Sequence, residues 1–203
     1  LLPESNQRIS FRSVIDGRRH DTSREFDGLV LRDGVFYPLS QQIFEEDPER
    51  LIRIFRHAQQ FDVQIGLDLA DLIETSLPLI TSRVQHSSTA NRSFRSILQS
   101  AGAVHPALNE MHELGVLGRF LPEFGKLTCQ VQHEHYHRYT ADIHILNTIR
   151  ELDAVVQRST EEKQKYREAL RETPLPNLLY LMLLLHHLGK AEGVRDHART
   201  GVT

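Results

Sequence analysis

The histidines of this 203-residue chain are unevenly spread: His133, His135, His137, His144, His186, His187 and His197 all lie in its last third. Three placements could do chemistry. His144 sits in a helical run that follows His137-Arg138-Tyr139-Thr140. His186-His187 closes the apolar run Leu183-Leu184-Leu185, and His197 lies in Arg195-Asp196-His197. A neutral imidazole is a good ligand for first-row divalent metals, and Lys190, just after the pair, could hold a phosphate. Imidazoles from separate helices converging on a divalent ion would suit phosphoester hydrolysis, the metal activating water and neutralising developing charge. A blander alternative stays open, in which these are partly buried histidines with satisfied hydrogen bonds. His133, His135 and His137 fit either a ligand cluster or exposed structural positions. His20, His57, His86, His105 and His112 are expected to be structural.

The elements that must position these groups are mostly helical. From about Thr140 to Gln157 the pattern predicts a long helix carrying His144, and Asp153, Arg158, Glu161, Lys163 and their neighbours read as a solvated charged stretch. From Leu178 to Leu188 it predicts a strongly apolar helix that delivers His186 at its end, after Pro174 and Pro176 break the chain. His186 and Lys190 share a face if that helix continues, while His187 points about 100° away. Upstream, Asp47-Pro48-Glu49 starts a helix with Leu51, Ile52, Ile54 and Phe55 inward. Further helices are expected over about Leu67–Ile80, bent or ended by Pro78, over Thr89–Ser100, stopped by Gly102, and over Pro106–Leu114, ended by Gly115. Leu117 to Gly125 reads as loop-like punctuation and places a soft boundary. The chain through about Phe26 reads as extended or irregular. Asp33-Gly34, between Leu29-Val30-Leu31 and Val35-Phe36-Tyr37, signals a hairpin that Pro38 closes or puts at an edge.

Composition excludes several classes. The formal net charge of −3 argues against a dedicated nucleic-acid module, and the absence of tryptophan argues against stacking platforms. Cys129 is the single cysteine and has no intrachain partner. The apolar run Leu178–Leu185 is too short to cross a bilayer, and the start Leu-Leu-Pro-Glu lacks the layout of a signal peptide. The expected location is cytoplasmic. The first residue is not methionine, so a piece of a longer chain is expected.

At the histidine-bearing residues the chain resembles a known family. Cys129-Gln130-Val131-Gln132-His133-Glu134-His135-Tyr136-His137-Arg138-Tyr139-Thr140-Ala141-Asp142-Ile143-His144 resembles the segment opening the HD domain of bacterial PII uridylyltransferase/uridylyl-removing enzymes. Leu184-Leu185-His186-His187-Leu188-Gly189-Lys190 is similar to the motif that names the HD superfamily, and Arg195-Asp196-His197 to its next histidine segment. Arg19-His20-Asp21-Thr22 and Gly115-Val116-Leu117-Gly118-Arg119-Phe120-Leu121-Pro122-Glu123-Phe124-Gly125 also resemble that family, the second string quite specifically. The resemblance runs from about residue 17 to the end. It implies a mainly α chain. Residues 1–125 would be a helical linker region with a short β-hairpin, following a nucleotidyltransferase domain. Residues 126–203 would be the first part of an all-α HD phosphohydrolase domain.

The resemblance also implies an activity. In the family one domain attaches UMP to a tyrosine of the PII nitrogen-signalling protein, the HD domain removes it hydrolytically, and C-terminal ACT domains sense glutamine. His144 matches the first metal-binding histidine, His186 the histidine of the dyad, Lys190 the lysine after it, and His197 a downstream histidine that binds metal or phosphate. His144, His186, His187 and His197 would hold a divalent metal, Mn, Mg or Fe, and His186, His187 and Lys190 would act on the phosphate. Two departures matter. His187 stands where the family has an aspartate, and the pattern's later aspartate is not reached by Thr203. They motivate an alternative, a non-catalytic HD scaffold or sensor in the same enzyme. A further alternative is an HD-bearing nucleotidyltransferase acting on tRNA ends, disfavoured by the charge balance.

Overall fold

The computed structural model describes residues 24–127, 140–157, 168 and 176–186, and within them the chain is mainly α, as expected. A small sheet comes first, with β1 (Arg24–Phe26), β2 (Leu29–Arg32) and β3 (Val35–Pro38) as an antiparallel meander. β4 (Gln64–Ile65) adds parallel to β3, giving the order β1-β2-β3-β4. Both turns are Asp-Gly. Asp27 and Gly28 have φ of 51° and 77°, Asp33 and Gly34 of 48° and 78°. Two successive positive φ values mark the turn type whose twist matches flanking strands. The expected Leu29–Tyr37 hairpin is present. Of the stretch expected to be extended or irregular through Phe26, the described end is extended, the Asp27-Gly28 turn folding Arg24–Phe26 back onto β2 as a strand. Pro38 ends β3 two residues beyond the last pair with β4, where its missing N–H breaks no ladder.

Helices follow: α1 (Ile43–Glu46), α2 (Arg50–Phe61), α3 (Leu67–Ser76), α4 (Ser82–Gln85), α5 (Ser88–Leu98) and α6 (Val104–Glu113). The Asp47 side chain accepts from the backbone N–H of Glu49 at 3.1 Å, capping the turn that enters α2. Leu51, Ile52, Ile54, Phe55 and Ala58 of α2 are buried, so its apolar stripe sits on the core. Leu69, Leu72 and Ile73 are the inward residues of α3, which passes at Pro78 into a 3₁₀ turn over Leu77–Leu79. The Ser87 hydroxyl accepts from the N–H groups of Thr89 and Ala90 at the start of α5. Gly102 (φ 90°) and Gly115 (φ 73°) follow α5 and α6 as expected.

The string from Leu117 to Gly125 is not a loop. It forms α7 (Val116–Phe120) and α8 (Pro122–Gly125), with Val116, Leu117, Phe120 and Phe124 buried. Its glycines set contact distance and its proline starts a helix. A Cβ on Gly125 would lie 2.7 Å from the carbonyl oxygen of Gly118, so the two backbones touch.

Two further helices follow among the described residues, α9 (Ala141–Gln157) and α10 (Pro176–Leu185). They pack on each other, α9 also on α6 and α10 also on α5. One apolar core runs from Leu29 and Phe36 through α2, α5 and α6 to Ile145 and Ile149 of α9 and Tyr180 and Leu184 of α10. Among the described residues no helix is long and apolar enough to cross a membrane.

Candidate functional site

Two buried carboxylates seat α9, the helix that carries His144. At its start Asp142 is 3 % exposed. One oxygen accepts from the N–H of Ile143 at 2.9 Å, and the other lies 3.4 Å from Nε2 of His112 on α6. The His112 ring stands edge-on to Phe124 of α8, which fixes its plane. At the far end Asp153 is 4 % exposed. Its Oδ1 accepts from the Tyr180 hydroxyl at 2.6 Å and the Gly102 N–H at 3.1 Å, and its Oδ2 from the His105 N–H at 2.7 Å. The Gly102 N–H also points at the Tyr180 oxygen, 3.0 Å away, and the Gln157 side-chain amide donates to the Gly102 carbonyl. A Cβ at Gly102 would stand 3.1 Å from Cγ1 of Val156. Burial, and after it the bond to Asp153, push the Tyr180 phenol above its ordinary value, so it stays a proton donor. Burial likewise pulls the His105 imidazole down, with Arg150 acting in the same direction.

His144 lies in the first turns of α9, exposed, with its N–H donating to Thr140 and its carbonyl accepting from the Thr148 hydroxyl. His186 is the residue directly after α10, also exposed, its N–H donating to Met182. Its Nδ1 lies 2.7 Å from the carbonyl oxygen of Leu183. A carbonyl only accepts, so Nδ1 carries the proton, and the lone pair of the neutral ring is on Nε2. A ring nitrogen held by a carbonyl is one way in which metal-ligating histidines are oriented.

The structure thus puts His144 and His186 on helices that pack together. His187, Lys190 and His197 lie outside the described residues, as do His133, His135, His137, Cys129 and Arg19 to Thr22. Among the described residues no group of three or more His, Cys, Asp or Glu side chains is gathered to hold a metal ion. Two exposed imidazoles fit a divalent ion in the chemistry of their donors. The open groove of about 560 Å³ between the sheet and α3 includes none of the candidate histidines. Of the histidines expected to be structural, His86 bonds within its own turn and His57 is buried with Nε2 3.1 Å from Asp27, while His20 lies outside the described residues.

Sequence reasoning passed over Asp142 and Tyr180, and its reading of Asp153 as part of a solvated charged stretch is corrected, because Asp153 is buried among three donors. The signal was available, since both aspartates fall on the helical phase that buries Ile145, Leu146 and Ile149. An acid on an apolar face needs donors. Also passed over was the cluster around Asp27, which accepts from Arg50, Arg53 and His57.

Comparison with known proteins gives a consistent result. Residues 30–120 match the family model described as uridylyltransferase GlnD third domain. The chain is similar to a protein of Caulobacter vibrioides named bifunctional uridylyltransferase/uridylyl-removing enzyme. It is 36 % identical over 162 residues, covering 79 % of this chain and 17 % of the relative. Proteins of the same name from Rhodopseudomonas palustris and Azospirillum brasilense are 34 % and 32 % identical over 179 residues. These cover 87 % and 88 % of this chain and 19 % of each relative. The chain therefore spans less than a fifth of the length of the curated relatives it matches.

Proposed function

From its similarity over most of its length to a segment of proteins named bifunctional uridylyltransferase/uridylyl-removing enzyme, we propose that the chain belongs to such an enzyme and carries part of the phosphodiesterase site that hydrolyses UMP from uridylylated PII protein in nitrogen regulation. The observation that carries the reading is the packing of α9 on α10, each bearing an exposed histidine from the expected set, within a chain whose relatives are named for uridylyl removal. Residues 1–125 act as the linker region after a nucleotidyltransferase domain, and residues 126–203 begin the HD domain. The complete protein is a cytoplasmic enzyme that both transfers and removes uridylyl groups, with glutamine sensed by domains outside this chain.

In this reading His144, His186, His187 and His197 hold a divalent metal, which when bound supplies a Lewis acid for the phosphoryl group and for water. His186 presents Nε2, because Leu183 occupies Nδ1. Lys190 steadies the phosphate by charge. Water adds to phosphorus, the bond from phosphorus to the tyrosyl oxygen breaks, and that oxygen leaves with a proton. The products are UMP and unmodified tyrosine. The test is metal analysis and UMP release by the full-length enzyme, with His186→Ala as its partner. Stoichiometric metal and UMP release, both lost in the variant, are expected. De-uridylylation unchanged by His186→Ala would sink the assignment.

One observation favours a second reading, a non-catalytic HD scaffold. His187 is neutral or positive where the family pattern has an aspartate, so the site loses a charge that would hold the metal. Full-length enzyme that takes up no manganese or iron during purification would decide for the scaffold.

A further inference from the structure

We propose that Asp153 is a positioning residue: through Tyr180 it sets the rotation of α10, and so the direction in which His186 leaves that helix beside the helix of His144. The proposal rests on the hydrolase reading for its purpose, but not for its geometry.

The argument begins with the composition of α10, Pro-Asn-Leu-Leu-Tyr-Leu-Met-Leu-Leu-Leu. Such a helix has no strong amphipathic preference. Turning it by one residue would exchange one leucine for another at the core, with little change in apolar area buried. Hydrophobic burial therefore holds α10 in place without fixing its rotation. Tyr180 is the one hydroxyl-bearing residue in the helix, is fully buried, and lies six residues before His186. Its hydroxyl donates to Asp153 at 2.6 Å. Any other rotation would bury that hydroxyl, and a carboxylate oxygen, with a partner lost.

Asp153 is itself held rigidly. Two backbone N–H groups, from Gly102 and His105, fix its carboxylate plane. Gly102 lies in the link between α5 and α6 and His105 in the first turn of α6, so the reference frame for α10 is the core and not a mobile side chain. Buried polar bonds of this kind select one arrangement among several of similar apolar energy. With Tyr180 fixed, the last turn follows: the His186 N–H bonds Met182, and its ring bonds Leu183.

The experiment uses the full-length enzyme and Tyr180→Phe, which keeps the ring and removes the hydroxyl. Hydrogen exchange of the metal-free protein reads the latch alone. Amides of the last turn of α10 are expected to exchange about tenfold faster. Manganese titration reads its purpose. Affinity is expected to fall about tenfold or more, and UMP release to recover at saturating manganese. Leu184→Val serves as the control, since it loosens the same helix without touching the bond. It should lower the melting temperature and leave manganese affinity unchanged. Exchange and affinity both at the wild-type level in Tyr180→Phe would overturn the proposal, and so would an equal affinity loss in Leu184→Val. Wild-type enzyme that binds no manganese would remove the hydrolase reading, and the exchange arm alone would then decide the latch. If Tyr180→Phe does not fold, Asp153→Asn carries the same comparison.

Discussion

The guanidinium of Arg53 meets the carboxylate of Asp27 side-on, Nε to Oδ2 at 2.6 Å and Nη2 to Oδ1 at 2.8 Å. A β-turn residue is thereby gripped from α2. Arg50 adds a bond to the same carboxylate at 3.3 Å, and Nε2 of His57 stands 3.1 Å from it. Asp47 shares Arg53 from the other side at 2.6 Å. The cluster fastens the sheet to the first long helix.

Asp27→Asn should destabilise this part of the fold by about 2 kcal/mol at pH 7, less than a fully buried pair because the carboxylate is partly exposed. Burial alone would raise the Asp27 carboxyl. The bonds from Arg53 and His57 and the charge of Arg53 outweigh it and hold the group well below the usual carboxylate range. The stabilisation is therefore fully present above the unfolded value of about 4 and is lost as pH falls through the lower folded value. Urea midpoints of wild type and variant should differ most at pH 7 and converge in acid. A gap of constant size would count against the ion pair.

Glu110 should show the opposite slope. Burial first, and the neighbouring Glu113 second, hold its carboxyl above the usual range. The folded state then keeps the proton more tightly than the unfolded one, so stability is highest at low pH and declines as pH rises through the folded value. Glu110→Gln imitates the protonated form. Its denaturation midpoint relative to wild type should rise between pH 4 and pH 7. A flat difference over that range would rule the effect out.

Gly125→Ala should be worse tolerated than Gly34→Ala. At Gly125 the new Cβ meets a backbone oxygen at 2.7 Å, and neither short helix can yield without moving the other. A cost of about 2 kcal/mol or more is expected. At Gly34 there is open space, and only the positive φ opposes alanine, at about 1 kcal/mol. Melting temperatures of the two variants decide the order, and a reversed order would contradict the close approach.

Leu184→Ala and Met182→Ala test which side of α10 faces the core. Leu184 is fully buried and Met182 is 66 % exposed. The first should cost about 3 kcal/mol and the second under about 0.5 kcal/mol. Equal costs would mean that the helix is turned differently.

Much of this was legible before any coordinates. The helices over residues 50–61, 67–76, 88–98 and 141–157 announce themselves by apolar residues at helical spacing, and Gly102 and Gly115 fall at the stops their freedom suits. Asp33-Gly34 was readable as a turn. Asp27-Gly28 is the same dipeptide, but its flank Arg24-Glu25-Phe26 holds a single apolar residue, so no alternation marked a strand there. Leu117–Gly125 misled for a physical reason: glycine and proline punctuate loops, yet here they permit backbone contact and start a helix. The bonds of Asp153 were hidden because three of its donors come from residues 102, 105 and 180, a proximity that local pattern does not carry.

The Tyr180 hydroxyl and the Gly102 amide are 78 positions apart along the chain. On a ribosome, the segment bearing Gly102 and His105 emerges long before α10 does. The apolar packing of α2, α5 and α6 is local enough to assemble early, whereas the Asp153 carboxylate acquires its last donor only when residue 180 arrives. Until then α9 carries a charge that resists burial. The region thus has a built-in order of assembly, in which closure of the loop between residues 102 and 180 is the step that allows α9 to settle.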